Sequence, residues 1–239
     1  LASLLGAGRA TLPVWESLDQ AGIISALIPG WDVVRSAPQR NPVHRFTVDR
    51  HLVEAAIQSA KYQRDVNSPD LLVVGAFLHD IGKGRPGIDH TDAGVELVAD
   101  IAPHLGFDES DSATLVALVR HHLLLPETAT RRDPDDPATT QRVIDAVGDR
   151  DTLDLLYALT RADAQATGPA AWSEWRAALI ADLVDRVRQQ LGGEPDPEAH
   201  RGGVVLLTPE QEQAMRARAT DVFVAGTAPG DMLAVTVIA

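Results

Sequence analysis

The chain contains no cysteine, which excludes disulfides, thiolate metal ligands and thiol nucleophiles. Aromatic residues make up only 4% of its 239 residues, against 45% apolar residues overall. A core is therefore available, but it must be built from Leu, Val, Ala and Ile. Positive charge is scarce: 21 Lys and Arg stand against 34 Asp and Glu, for a formal net charge of −13. This argues against a nucleic-acid binder or a protein held on an anionic membrane, because either needs a basic face. No run reaches about 18 uninterrupted apolar residues, and the opening residues show no signal-peptide pattern. The expected setting is soluble and cytoplasmic. An initiating Met is also lacking, and the sequence stops on "DMLAVTVIA" (231–239), an apolar β-branched run with no turn after it. It is expected to be a piece of a longer protein.

What is present reads mostly as helix. "SPDLLVVGAFLHD" (68–80) starts with Ser68 as N-cap, Pro69 at the first helical position and Asp70 in the first turn. It is apolar all round, the mark of a central helix. Amphipathic helices are predicted over 47–60, 92–105 and 110–124, with Gly106 ending the second of these. Further helices are predicted over 136–148, between Asp-Pro and Gly148, and over 150–166 and 170–191. "GGEPDPEAHRGG" (192–203) reads as a linker. Beyond it, Thr208, Pro209 and Gln211 form a capping-box pattern for one more helix, followed by β-like runs at 222–224 and 232–238.

The informative residues are polar ones on apolar stripes. Val48, His51, Leu52 and Ala55 share one helix face, as do Leu115, Leu118, Val119 and His122, with His121 at the edge. Leu156, Leu159 and Asp163 share a third, which aims a carboxylate at the core. His79-Asp80 ends the most apolar segment, and His90 follows a Gly-rich turn. A lone inward His is more often a satisfied core histidine than a ligand, and a lone inward Asp more often caps a helix or pairs with Arg. A buried carboxylate must be paired, protonated or given a metal. Inward imidazoles and carboxylates on several separate segments together favour a metal site. His44, His104 and His200 fall outside the pattern and read as surface or locally hydrogen-bonded residues.

His51, then His79-Asp80, then Asp163 resembles the H…HD…D signature of HD-superfamily metal-dependent phosphohydrolases, and "HDIGK" (79–83) is a familiar string of that family. The resemblance implies an all-α HD-domain helical bundle over 1–191. It also implies that His51, His79, Asp80 and Asp163 bind one divalent ion. In two-metal members a second ion is bound by further histidines, here His90 and His122, with His121 also a candidate, and Asp80 bridges. The ion would be Mn, Fe, Mg, Co or Zn. "HRFTVDRH" (44–51), "LVRHHLLLPETATRRDPDDP" (118–137) and "LTRADAQATGPAAWSEWRAALIADL" (159–183) further resemble the central HD domain of the bifunctional PII uridylyltransferase/uridylyl-removing enzymes. On that resemblance, 204–239 is a short α+β piece leading into a truncated ACT-type regulatory domain. Glutamine would act only through complete ACT domains, which the sequence does not contain, and no Gly-Ser…Asp-x-Asp transferase motif is present.

The activity so implied is hydrolysis of the phosphodiester between a nucleoside monophosphate, uridylyl or adenylyl, and a tyrosine of the PII signalling protein. Asp80 would be the catalytic centre of the metal site, and Lys83, on its Gly-flanked loop, would stabilise the phosphate. Arg131 and Arg132 would either clamp a phosphate or pair with Asp133, Asp135 and Asp136; Arg120 is a further candidate for substrate binding. The competing readings are an HD hydrolase of free nucleotides, a non-catalytic metal-binding regulatory module, and an HD-type di-iron oxygenase.

Overall fold

The computed structural model describes residues 1–39, 43–85 and 87–192 in full, and the backbone of 221–225 and 234–238. The N-terminal segment forms four helices, α1 (Ala2–Leu5), α2 (Thr11–Gln20), α3 (Ile23–Leu27) and α4 (Trp31–Val34). Then follow α5 (Val48–Ser59), α6 (Pro69–Leu78), α7 (His90–His104), α8 (Glu109–His121) and α9 (Leu124–Arg131), and finally α10 (Pro137–Val147), α11 (Arg150–Thr167) and α12 (Glu174–Gln190). Among the described residues up to Gly192 there is no strand. No described helix is long and apolar enough to cross a membrane.

Helix α6 is the centre of this bundle, as its unbroken apolar character predicts. Residues 71–78 are all buried, and α1, α5, α8 and α11 pack around them. Ser68 occupies the N-cap position but makes no side-chain cap bond; Pro69 and Asp70 carry the helix start. Gly75 permits the closest approach of α8, since a Cβ there would stand 2.8 Å from Leu118 Cδ1. Three of the ten aromatics meet where the N-terminal helices pack on α6. Trp15, Trp31 and Phe77 have ring centroids 4.9 to 5.5 Å apart, and Trp31 Nε1 donates to Asp19 Oδ1 at 2.7 Å. On the far side, Arg188 of α12 donates to Asp154 of α11 at 2.8 Å and pairs with Asp185 at 3.3 Å.

Three boundaries differ from expectation. The helix expected over 170–191 begins at Glu174, as α12, because Ser173 caps it by accepting from the Arg176 amide at 3.2 Å. Helix α7 begins at His90, because Asp89 caps it by accepting from the Thr91 amide at 2.8 Å. The helix expected over 110–124 ends at His121, as α8, and after a break at His122 and Leu123 a further helix, α9, opens at Leu124. Pro126 explains the break: in a continuous helix its ring would meet the carbonyl of His122, to which it has no N–H to offer. Gly106 and Gly148 adopt the positive φ values, 90° and 75°, that end α7 and α10.

Contacts divide the chain between Gly202 and Gly203. In the second unit, β1 (Asp221–Ala225) and β2 (Ala234–Ile238) form an antiparallel pair with Val222 opposite Val237 and Val224 opposite Val235. The linker expected over 192–203 and the helix expected after Thr208 lie, apart from Gly192, outside the described residues.

The 3₁₀ turn Ile81–Gly84 passes against the start of α7 so tightly that a Cβ on Gly82 would stand 2.0 Å from the His90 carbonyl oxygen and 2.4 Å from the Gly94 amide nitrogen. Both obstacles are backbone, so no side-chain rotation relieves them. Gly82→Ala is expected to cost roughly 1–3 kcal/mol, the usual range for overpacking, and to lower metal content because His90 is pushed aside. Thermal unfolding and metal analysis of the variant check this; an unchanged Tm would contradict the close approach.

Candidate metal centre

His79 and Asp80 sit where α6 gives way to the 3₁₀ turn. His79 is the C-cap residue of α6, and its Nδ1 lies 2.8 Å from the Ala76 carbonyl oxygen. A carbonyl only accepts, so Nδ1 carries the proton there. This satisfies one of the carbonyls that a helix end leaves free, and it turns Nε2 toward the neighbouring helices. His122 is fixed in the same way, with Nδ1 donating to the Val119 carbonyl at 2.7 Å. Such a bond selects the tautomer whose Nε2 is a bare lone pair, the arrangement found behind metal-bound imidazoles.

The helices bring these groups together. His51 from α5 places Nε2 3.3 Å from His79 Nε2 and 3.1 Å from Asp163 Oδ1 of α11. Asp163 Oδ1 is also 3.4 Å from His79 Nε2, and Thr167 Oγ1, one turn on, donates to it at 3.3 Å. Asp80 stands between two groups. Its Oδ2 is 3.3 Å from His79 Nε2 and 3.7 Å from His51 Nε2. Its Oδ1 is 3.5 Å from His122 Nε2 and 3.8 Å from His90 Nε2. His51, His79 and Asp80 thus form one potential ion-binding group and Asp80, His90 and His122 a second. His51, His79, Asp80 and His122 are buried, while the Asp163 and His90 side chains keep 23% and 30% exposure toward a cavity of about 740 Å³.

Electrostatics of the cluster call for a cation. Burial pulls the His79 imidazolium down, but the Asp80 and Asp163 charges and hydrogen bonds outweigh it and raise its pKa to about 10. Burial likewise pushes both carboxyls up, and His79 with the surrounding cations overrides this, holding Asp80 and Asp163 well below the usual carboxylate range. His122 is lowered, by burial above all. Two ionised carboxylates side by side need positive charge, which Lys83 together with a proton on His79 or a divalent ion supplies. The donors fit the ion: imidazole nitrogens and carboxylate oxygens are borderline ligands suited to Mn, Fe, Co or Zn, and Asp80 Oδ1 is buried without a hydrogen-bond partner among the described residues.

Lys83 reaches back from the 3₁₀ turn, pairing with Asp80 Oδ2 at 2.5 Å and donating to Gln39 Oε1 at 3.2 Å. Other expected site residues lie elsewhere. His121 is one residue from His122, hence about 100° around the helix. It lines a separate surface depression with Gln141, Arg142 and Asp145, and burial together with Arg120 and Arg142 lowers its pKa. It is not among the ligand groups. Arg120, Arg131 and Arg132 are exposed, and none of them lines the cavity. Arg131 ends α9 rather than lying in a loop and pairs with Glu127 at 3.6 Å. The acids expected to neutralise it are otherwise engaged, Asp135 with Arg186 and Asp133 and Asp136 with backbone amides. Conversely, Gln39, His44 and Arg85 line the cavity without having been singled out for it. His44 is half-buried, and its ring stands edge-on to that of His51, with centroids 5.5 Å apart. All three lie on irregular segments, where no periodicity signals direction.

Because metal must displace the proton that the raised His79 pKa of about 10 retains at neutral pH, metal binding is expected to release a proton. Between pH 7 and 8 the apparent Kd for Mn²⁺ should fall about tenfold for one proton exchanged. Asp80 and Asp163 add no dependence in this window, being ionised throughout. Calorimetric titration in buffers of differing ionisation enthalpy checks this; an affinity independent of pH would contradict it.

Comparison with known proteins agrees with this geometry. The family model of the HD domain matches residues 48–165. A bifunctional uridylyltransferase/uridylyl-removing enzyme from Streptomyces coelicolor is 57% identical over 213 residues, covering 89% of this chain and 25% of that protein. Enzymes of the same name from Mycobacterium tuberculosis and Gluconobacter oxydans are 49% and 37% identical over 82% and 76% of this chain. The chain spans about a quarter of the length of the curated relatives it matches. His51, His79, Asp80, His90, His122 and Asp163 all fall within the matched stretch, and residues 48–165 of the chain are an HD domain.

Proposed function

We propose that this domain hydrolyses the phosphodiester joining a nucleoside monophosphate to a tyrosine of the PII signalling protein, with one or two divalent ions held by His51, His79, Asp80 and Asp163 and by Asp80, His90 and His122. The observation that carries the reading is the Asp80 carboxylate, whose two oxygens face two separate histidine groups. The relatives, named as uridylyl-removing as well as uridylyltransferase enzymes, support the substrate. A divalent ion bound there would lower the pKa of its water and make hydroxide available at neutral pH. The protein's own part is to hold the ligands together at the cavity floor, to fix the tautomers of His79 and His122, and to set the Lys83 ammonium beside Asp80, where it offsets phosphate charge. The leaving phenolate, of pKa about 10, needs little protonation.

A cavity of about 740 Å³ is large enough for a nucleotide. Val33, Ile88 and Leu123 at its wall are exposed, at 50%, 52% and 37%. An apolar rim suits the phenyl ring of a tyrosyl ester, a group that a free nucleotide lacks. Hydrolysis of free nucleotides is the second reading, favoured by the volume alone. We assign the hydrolase domain to 1–191, the linker to 192–203 and the lead-in to an ACT-type domain to 204–239; the division at Gly202 and the β1–β2 pair are consistent with this. Regulation by glutamine would belong to complete ACT domains of a longer chain.

Release of nucleoside monophosphate from modified PII, with and without chelator, tests the reading. Chelator and Asp80→Ala are each expected to abolish release. Lys83→Ala is expected to slow it by about 10²–10³, the usual effect of removing one electrostatic donor. A rate indifferent to chelator, or an Asp80→Ala effect milder than that of Lys83→Ala, would contradict it. Hydrolysis of free nucleotides with modified PII left intact would instead favour the second reading.

A further inference from the structure

Gln39 lies on the irregular segment between α4 and α5, more than forty residues before Asp80 and Lys83, yet it lines the same cavity as they do. Its Oε1 accepts from Lys83 Nζ at 3.2 Å. A lysine ammonium has donors only, so the oxygen must face Lys83, and the amide nitrogen must face away from it. That nitrogen is buried and has no hydrogen-bond partner among the described residues. An amide donor left unmade costs more than its bond returns, and such a donor calls for an acceptor. Lys83 for its part spans Asp80 Oδ2 and Gln39 Oε1, with its side chain 23% exposed. Two acceptors occupy two of its three N–H groups, which leaves a third.

We infer that Gln39 and Lys83 together form a two-point cradle for a phosphoryl group. The Gln39 carbonyl positions the Lys83 ammonium, and the Gln39 Nε2–H and the remaining Lys83 N–H each donate to a non-bridging phosphate oxygen of the substrate. The ligand class is a phosphate ester or the monophosphate it releases. The metal-facing carboxylate Asp80 accepts only, so without this pair its side of the cavity would offer a phosphate oxygen a repulsive neighbour. The inference rests on the reading of the cavity as a phosphohydrolase site. It does not depend on whether the ester is carried by a protein or by a free nucleotide.

Two substitutions separate positioning from donation. Gln39→Glu keeps an acceptor for Lys83 but replaces the N–H donor with a second carboxylate oxygen. Gln39→Ala removes both functions. The measurement is binding of uridine monophosphate, and of inorganic phosphate, to the Mn²⁺-loaded 239-residue protein by calorimetry, with metal content and Tm recorded for each variant. Gln39→Ala is expected to weaken both ligands on the order of 10-fold. Gln39→Glu is expected to weaken them at least as much despite retaining its grip on Lys83, with metal content and Tm unchanged for both. If Gln39→Glu binds both ligands like the parent, the residue only positions Lys83 and the cradle is overturned. It is overturned as well if Gln39→Ala binds like the parent, or if weaker binding merely tracks lost metal. If the parent protein itself binds neither ligand, the proposal falls together with the phosphohydrolase reading; equal binding by parent and variants overturns the proposal alone.

Discussion

A carboxylate buried at the carbonyl end of the central helix is the constraint on which the site depends. Asp80 follows α6, where the helix dipole already presents negative charge, and it is 3% exposed. Burial and dipole both oppose its ionisation. The surrounding cations and imidazoles reverse that, and the neighbouring elements are placed to supply them: α5 brings His51, the 3₁₀ turn Lys83, α7 His90, and the end of α8 His122. Removing one partner leaves an uncompensated buried charge, which costs more than the pair contributes.

Packing serves this arrangement. Gly82 lets the turn carrying Lys83 lie on the first residues of α7, and Gly94 lets α7 approach Val119, the residue whose carbonyl holds His122. The break that Pro126 causes ends α8 just where His122 must face inward. One close-packed corner therefore fixes two of the imidazoles around Asp80. The aromatic contact of Trp15, Trp31 and Phe77 holds the N-terminal helices on α6, and Val33 of the last of these helices reaches the cavity wall.

How much of this was legible follows from where periodicity applies. His51 and Asp163 lie on regular helices, so their direction could be read from their apolar neighbours, and the structure brings them together. His122 was legible for the same reason, but His121 was not excluded, because a stripe seen in sequence has no sharp edge. Adjacent helical residues lie about 100° apart, and here His122 takes the buried side while His121 lines the separate depression with Gln141 and Arg142. Arg120, Arg131 and Arg132 were selected by chemical type rather than by position, and they point to solvent. Gln39, His44 and Arg85 come from segments where neither period applies, and only the folded chain places them. The boundaries of α7 and α8 were set by an Asp cap and a proline acting against the hydrophobic pattern.

The shared role of Asp80 is tested most directly by anomalous diffraction from crystals of the protein loaded with Mn²⁺. The account predicts ion density on both sides of the Asp80 carboxylate, one position contacting His51, His79 and Asp163 and the other contacting His90 and His122, with both lost in Asp80→Ala. Ion density that leaves Asp80 uncoordinated, or that persists unchanged in Asp80→Ala, would contradict it.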